Sequence, residues 1–200
     1  MDKNDVTGVI LAGGRGSRMG SVDKGLQLFR GKPMIAHVLD RFQPQVDEIL
    51  INANRSLNEY AAFGHRVIPD AIDGFAGPLA GLHIGMTRAT HPLIATCPCD
   101  SPFLPLDLIQ RLSNAMDMGR ADLAVAKTFD QPHPVFCLTR ANLAPHLQAF
   151  LESGQRKIDK WYASLNVVEV SFDDEEAAFS NINTVDELKS FEQSSPDSTR

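Results

Sequence analysis

The chain has 200 residues, 43% of them hydrophobic and 22% charged, with a formal net charge of −6. That length suits one domain able to bury roughly seventy per cent of its surface, and the acidic balance excludes a general nucleic-acid surface. Charge is unevenly placed. Gly13 to Lys32 holds five cations against one anion, Asp23, whereas Asp173 to Arg200 holds eight anions against two cations. An acidic protein that gathers its cations in one glycine-rich stretch is focusing them on a small anion. The three cysteines, Cys97, Cys99 and Cys137, lack C-x-x-C spacing, which argues against a disulfide framework or a zinc knuckle and fits a reducing cytosol. Met1 to Asp5 is too polar for a signal peptide, and no apolar run approaches the roughly 20 residues that span a bilayer. A soluble cytoplasmic protein is expected, with no membrane partner.

In chain order, Val6 to Leu11 reads as a strand whose apolar end, Val9-Ile10-Leu11, suggests burial on both faces. A glycine-rich loop follows, then a helix opened by Pro33 and carrying Met34, Ile35, Val38, Leu39 and Phe42 at helical spacing. Val46 to Ile51 is a second strand ending in Asn52-Ala53-Asn54. Leu57 to Phe63 reads as a short helix, and Arg66 to Ile68 as a strand ending at Pro69-Asp70. A loop containing Gly77-Pro78 leads into a helix from Leu79 to Arg88, and Pro92 to Cys97 is a buried strand that ends at Cys99-Asp100-Ser101-Pro102. Pro105 to Met116 reads as a helix. Asp122 to Ala126 and Val135 to Leu138 read as strands separated by a loop, Gln131-Pro132-His133-Pro134. Helices are expected at Ala141 to Leu151 and around Lys157 to Ala163, then a strand from Val167 to Phe172. Val185 to Phe191 forms a last helix, with Thr184 and Glu187 as a capping box. Residues 1–192 form one domain in this reading, and 193–200 a polar, disordered tail.

Strand–helix alternation predicts an α/β fold, a single three-layer α/β/α domain with a mostly parallel, Rossmann-like sheet. In such sheets ligands lie beyond the carboxyl ends of the strands. The first strand runs straight into five glycines within thirteen residues, Gly13 to Gly25, together with Arg15, Arg18 and Lys24. A concave loop of backbone N–H groups binds anions, and mobile cations inside it suit a polyphosphate that reacts. Two familiar phosphate loops are excluded. Walker A would need a hydroxyl residue after Gly31-Lys32, where Pro33 stands, and in the dinucleotide fingerprint Gly20 comes one residue late after Gly14-Arg15-Gly16.

The other strand ends bring Asn52, Asp70 and Asp100 to the same edge. Asp100 is placed to hold Mg²⁺, which takes one or two carboxylates with phosphate oxygens and water; the plainer reading is a turn or capping aspartate before Pro102. Arg18 and Lys24 would neutralise triphosphate charge. Asn52 suits a base edge or ribose, or else an Asx turn, and Asp70 is open in the same way. Asn181 and Asn183, flanking Ile182, would point to one side of an extended segment, where they could complete a metal shell, hold a phosphate or cap the last helix. His133, between two prolines, is a weaker substrate contact.

Leu11-Ala12-Gly13-Gly14, Gly16, Arg18-Met19-Gly20, Asp23-Lys24-Gly25 and Gly31-Lys32-Pro33 resemble the nucleotidyltransferase superfamily. Further strings narrow the resemblance: Asn52-Ala53-Asn54-Arg55, Gly77-Pro78-Leu79-Ala80-Gly81, Cys97-Pro98-Cys99-Asp100-Ser101-Pro102, His133-Pro134 and Asn181-Ile182-Asn183-Thr184. In this order, from residue 8 to about 191, they resemble the molybdenum cofactor guanylyltransferase family. The resemblance implies a topology like that of nucleotide-diphospho-sugar transferases, GTP as donor, Mo-bound molybdopterin as acceptor, and Mg²⁺. It implies that Leu11, Ala12 and Gly13 line the guanine and phosphate site and that Lys24 meets the phosphates. Asn52 and Asp70 would contact the nucleoside, and Asp100 both GTP and Mg²⁺. Arg18, Asn181 and Asn183 would act at the reacting centre or on the pterin, with Arg156 and Lys157 receiving the anionic pterin. Ser21 departs from the family, where glycine is expected. Contacts with other cofactor-pathway proteins are implied, and a monomer is expected. The rival readings are a cytidylyltransferase on the same pterin, a sugar-1-phosphate nucleotidylyltransferase and a non-catalytic nucleotide-binding regulator.

Overall fold

The structure is a computed structural model that describes residues 5–13, 23–71 and 77–180. Its centre is β1 (Val6–Leu11), paired in parallel with β4 (Glu48–Asn52) on one side and with β6 (Leu93–Pro98) on the other. Beyond β4 lies β5 (Arg66–Ile68), also parallel. On the far side of β6 come β8 (Gln131–Arg140), β7 (Leu123–Thr128) and β9 (Val167–Ser171), which complete a seven-stranded sheet in the order β5-β4-β1-β6-β8-β7-β9. Only β8 runs against the rest. A small antiparallel pair, β2 (Leu28–Phe29) and β3 (Lys32–Pro33), stands apart from this sheet.

Side chains alternate across a strand, and β1 sends them into two cores. Val6 and Ile10 join Ile35, Val38 and Phe42 of α1 (Met34–Phe42) and Leu108 and Leu112 of α4 (Leu108–Gly119). Val9 joins Leu79 and Leu82 of α3 (Pro78–Arg88), Leu147 and Leu151 of α5 (Ala144–Glu152) and Trp161 of α6 (Ile158–Tyr162). Helices therefore cover both faces, as the strand–helix alternation requires. The last short helix, α2 (Leu57–Ala61), contributes Tyr60 to the first core.

The β2–β3 pair has no counterpart in the sequence expectation, Pro33 lies in it and not in the first turn of α1, and two further elements differ. Gln131 to Pro134 is not a loop but the start of β8, joined to β7 through a two-residue turn at Phe129-Asp130. Prolines cannot donate to a ladder, yet Pro132 and Pro134 are tolerated because pairing with β6 is recorded only from Cys137 onward and the β7 register shifts between Val125 and Ala126. The helix expected from Pro105 begins at Leu108 instead. The carbonyls of Leu104 and Pro105 accept hydrogen bonds from Arg41 Nε (2.6 Å) and Gln45 Nε2 (2.9 Å), and Gln45 Oε1 accepts the Ile109 amide at 3.1 Å. Gln45 thereby satisfies one of the amides that every helix start leaves unpaired. The final helix, its capping box and the tail at 193–200 lie outside the described residues, as do Arg18, Ser21, Asn181 and Asn183.

Candidate active site

The register of the parallel strands builds the site. Ile68, Asn52, Leu11 and Pro98 stand in one row across β5, β4, β1 and β6. Two residues further along each chain come Asp70, Asn54, Gly13 and Asp100. Backbone bonds carry the ladder past the strand ends: the Ala12 amide donates to the Asn52 carbonyl (2.8 Å), and the Cys99 amide to that of Leu11 (3.1 Å). Four strand ends thus deliver Leu11–Gly13, Asn52, Asp70 and Asp100 to one edge. The opposed direction of β8 brings its first residues, including His133, to that edge as well.

The edge has two chemically distinct ends. At one, Asn52 is buried, and its Nδ2 donates to the Ile68 carbonyl (3.2 Å) and to Asp70 Oδ1 (2.9 Å). Asn54 Nδ2 donates to Asp70 Oδ2 at 2.8 Å, and the Asp70 amide returns a bond to Asn54 Oδ1 at 2.9 Å. Asp70 is therefore no ordinary turn residue, since neutral amides hold both of its oxygens. Asn52 bonds across to another strand end instead of closing an Asx turn. Gly81 in the first half of α3 makes room for this arrangement, because a Cβ there would press on Asn52 Oδ1 and come within 2.6 Å of Leu11 Cδ2.

At the other end, Lys24 Nζ pairs with Asp100 Oδ2 at 3.2 Å. The Asp100 side chain is only 11% exposed and that of Lys24 29%, so the pair is shielded from water more than a surface ion pair. Asp23, just before Lys24, accepts a hydrogen bond from the hydroxyl of the fully buried Tyr60. Burial pushes the Asp23 carboxyl above its ordinary range, and the Tyr60 hydrogen bond opposes that rise. Gly25 lies against Tyr60 and Cys99.

Other residues singled out in the sequence take structural places. Cys97, Cys99 and Cys137 are buried and free, and desolvation pushes all three thiols up, away from the thiolate that metals and nucleophilic chemistry need. His133 Nε2 is hydrogen-bonded with Thr128 Oγ1 (2.8 Å) and the ring stacks on Phe179 at 4.6 Å. Burial holds its pKa below the ordinary histidine value. Arg156 and Lys157 are exposed just before α6. That helix is tied to β8 by the bond from the Tyr162 hydroxyl to the Pro134 carbonyl (2.5 Å).

Two contributors were not legible as site residues, Asn54 and Tyr60. A tyrosine in a short helix gives one usable signal, because a buried phenol needs a partner. Arg111 donates to both carboxylate oxygens of Asp174 (3.0 and 2.9 Å) and to the Ser171 carbonyl, with its guanidinium 3.9 Å from the Phe172 ring centroid. It anchors the segment that follows β9.

Among the described residues no three His, Cys, Asp or Glu side chains form a metal cluster. Asp100 is a single carboxylate that would serve a metal ion only if phosphates and water completed its shell, as they do for Mg²⁺. No described helix is long and apolar enough to cross a membrane.

A mostly parallel sheet whose carboxyl edge carries an amide-held carboxylate and a lysine-paired carboxylate belongs to the class of α/β domains that bind ligands beyond their strand ends. The family model of the MobA-like NTP transferase domain matches residues 8–168, and the chain belongs to that family. It is 53% identical over 193 residues to the molybdenum cofactor guanylyltransferase of Bordetella petrii, covering 94% of this chain and 98% of the relative. Its identity to the enzyme of that name from Cupriavidus metallidurans is 52%, over 94% and 95% of the two chains. Among solved structures, molybdopterin-guanine dinucleotide biosynthesis protein A from Archaeoglobus fulgidus superposes with a TM-score of 0.78 at 25% identity, over 93% of this chain and 96% of that one.

Proposed function

We infer that this protein transfers GMP from GTP to the terminal phosphate of Mo-bound molybdopterin, releasing pyrophosphate and forming the guanine dinucleotide form of the cofactor. The observation that carries this reading is the near-full-length identity, above 50%, with relatives that bear the guanylyltransferase name. The paired Lys24 and Asp100 at the end of the glycine loop support the chemistry.

A phosphate monoester is largely ionised near neutral pH, with a second pKa of about 6. The acceptor is therefore already a nucleophile, and the chain has no proton to remove. What remains is to hold the acceptor phosphate in line with the α-phosphorus and to offset developing charge. Leu11, Ala12 and Gly13 line the guanine and phosphate site in this reading, and Asn52 and Asp70 contact the nucleoside. Lys24 and Arg18 face the phosphates, while Asn181 and Asn183 act at the reacting centre or on the pterin, with Arg156 and Lys157 beside its anionic group. Mg²⁺ would be held by Asp100, with GTP phosphates and water as its other ligands, and when bound it supplies charge neutralisation at the transferred phosphoryl group.

The three buried free cysteines favour a reducing, cytoplasmic setting. We take residues 1–192 as the transferase domain and the protein as a monomer that hands its product to other proteins of the cofactor pathway. Purified protein incubated with Mg²⁺, molybdopterin and GTP is expected to release one pyrophosphate per guanine dinucleotide formed, detected by mass spectrometry. Pyrophosphate release without the dinucleotide would refute the acceptor assignment.

A further inference from the structure

We propose that Tyr60 is a positioning residue for the transfer reaction, because its hydroxyl clamps the chain on both sides of Lys24 and so sets that lysine against Asp100. The proposal rests on the guanylyltransferase reading above. Tyr60 sits in α2, a helix of five residues that is too short to stand without tertiary contacts. Its amide donates to the Ser56 carbonyl at 3.0 Å, its carbonyl accepts the Phe63 amide at 3.2 Å, and its side chain is 0% exposed. The one polar atom of that buried ring points at the loop exit and donates to Asp23 Oδ1.

The same hydroxyl also touches the residue after Lys24. A Cβ on Gly25 would lie 2.6 Å from the Tyr60 oxygen and 3.1 Å from Cys99 Cβ. Gly25 is therefore wedged between Tyr60 and the residue that immediately precedes Asp100, where no larger side chain fits without a shift. A tight turn joins the two contacts: the Leu26 amide donates to the Asp23 carbonyl (3.1 Å) and the Gln27 amide to that of Lys24 (3.2 Å). Lys24 thus leaves a backbone held at Asp23, at Gly25 and through Cys99, and its Nζ reaches Asp100 Oδ2 at 3.2 Å.

The arrangement matters because a lysine side chain is long and loses substantial rotamer freedom when ordered. Fixing its backbone narrows the region that the ammonium group must search, and a displacement of about 1 Å at a reacting centre can cost roughly 100-fold in rate. Tyr60 itself transfers no proton. Burial and the neighbouring Cys99, Asp23 and Asp100 push its hydroxyl far above the ordinary phenol range, so it stays a donor.

A double-mutant cycle separates positioning from mere support of the fold. Tyr60→Phe keeps the ring and removes the donor. We expect it to lower kcat/KM for pyrophosphate release about tenfold in the native background and by less than about twofold when Lys24 is already alanine, since coupled residues are non-additive. An equal loss in both backgrounds, or no loss in the native one, overturns the proposal. Should Tyr60→Phe fail to fold, the cycle is run with Asp23→Ala, and Asp23→Asn, which can still accept the bond, should recover most of the activity. Asp23→Asn as damaging as Asp23→Ala would contradict the clamp. Calorimetric titration of GTP with Mg²⁺ needs no acceptor. Native protein that binds GTP alongside an additive cycle sinks the clamp alone, whereas native protein that does not bind GTP sinks the underlying reading and the clamp together.

Discussion

The two ends of the carboxyl edge hold similar residues in opposite ways. At the Asn52 end, Asp70 is gripped by the neutral amides of Asn52 and Asn54, so its direction is set by hydrogen bonds. At the Lys24 end, Asp100 faces an ammonium group in a largely buried position. An oriented carboxylate among amides suits the fixed donors of a nucleoside. A cation and a carboxylate side by side suit phosphate oxygens, which want positive charge directly and a metal ion through the carboxylate. Register alone spaces these two chemistries along one edge, since the four parallel strands end in one row.

The largest expected break of this division comes from the phosphate end. Asp100→Ala should reduce turnover by about 10²–10³-fold, the scale of losing one preorganised electrostatic contact. Steady-state pyrophosphate release checks this, and near-native turnover would remove Asp100 from the mechanism. At the amide end, Asn52→Ala should instead raise KM for GTP about ten- to a hundredfold with kcat little changed, as expected when an interaction is made equally in ground and transition states. A fall confined to kcat would merge the two ends into one. A smaller effect is expected from Gly81→Ala, whose methyl group would press on Asn52 and Leu11. Overpacking of this kind destabilises by about 1–3 kcal/mol, readable in denaturant unfolding, and GTP affinity should weaken with it while the Lys24 end keeps its kcat.

The smallest effect concerns neither end. His83 in α3 is buried, its Nε2 lacks a hydrogen-bond partner among the described residues, and desolvation holds it below the ordinary value of 6.5. Below pH 6.5 the unfolded chain takes up a proton that the folded protein resists, so stability is complete above that value and is lost as pH falls from 6.5 through the folded pKa. His83→Gln should flatten the drop in thermal midpoint between about pH 7 and pH 5.5 by a few degrees. An unchanged pH profile would show that His83 does not drive it.

Much of this site was legible because strand ends are punctuated. Val9-Ile10-Leu11 followed by glycines, and a buried run closing on Cys-Asp-Ser-Pro, mark where strands stop, and α/β topology then places Asp70 and Asp100 on one edge. The start of β8 was hidden, since Gln131-Pro132-His133-Pro134 carries two prolines that argue against a strand. The shifted register beside β7, with no β6 pairing before Cys137, lets them in. The onset of α4 was set by Arg41 and Gln45, more than sixty residues away for the Gln45–Ile109 contact, and no local signal reports such a partner. Tyr60 and Asn54 escaped for the same reason: one acts through Asp23 and the other through Asp70, and both pairs are tertiary.

The division of the edge is tested most directly by competitive turnover. Native protein, Asp70→Asn and Asp100→Asn are each supplied with Mg²⁺, molybdopterin and an equimolar mixture of GTP, CTP and ATP, and the dinucleotide products are quantified together. The native protein should form the guanine product almost alone. Asp70→Asn should let the other nucleotides through, with the GTP-to-CTP ratio falling about tenfold or more, while Asp100→Asn should lower all products and leave that ratio unchanged. A native preference for CTP, or a ratio that moves in Asp100→Asn and not in Asp70→Asn, would contradict the account.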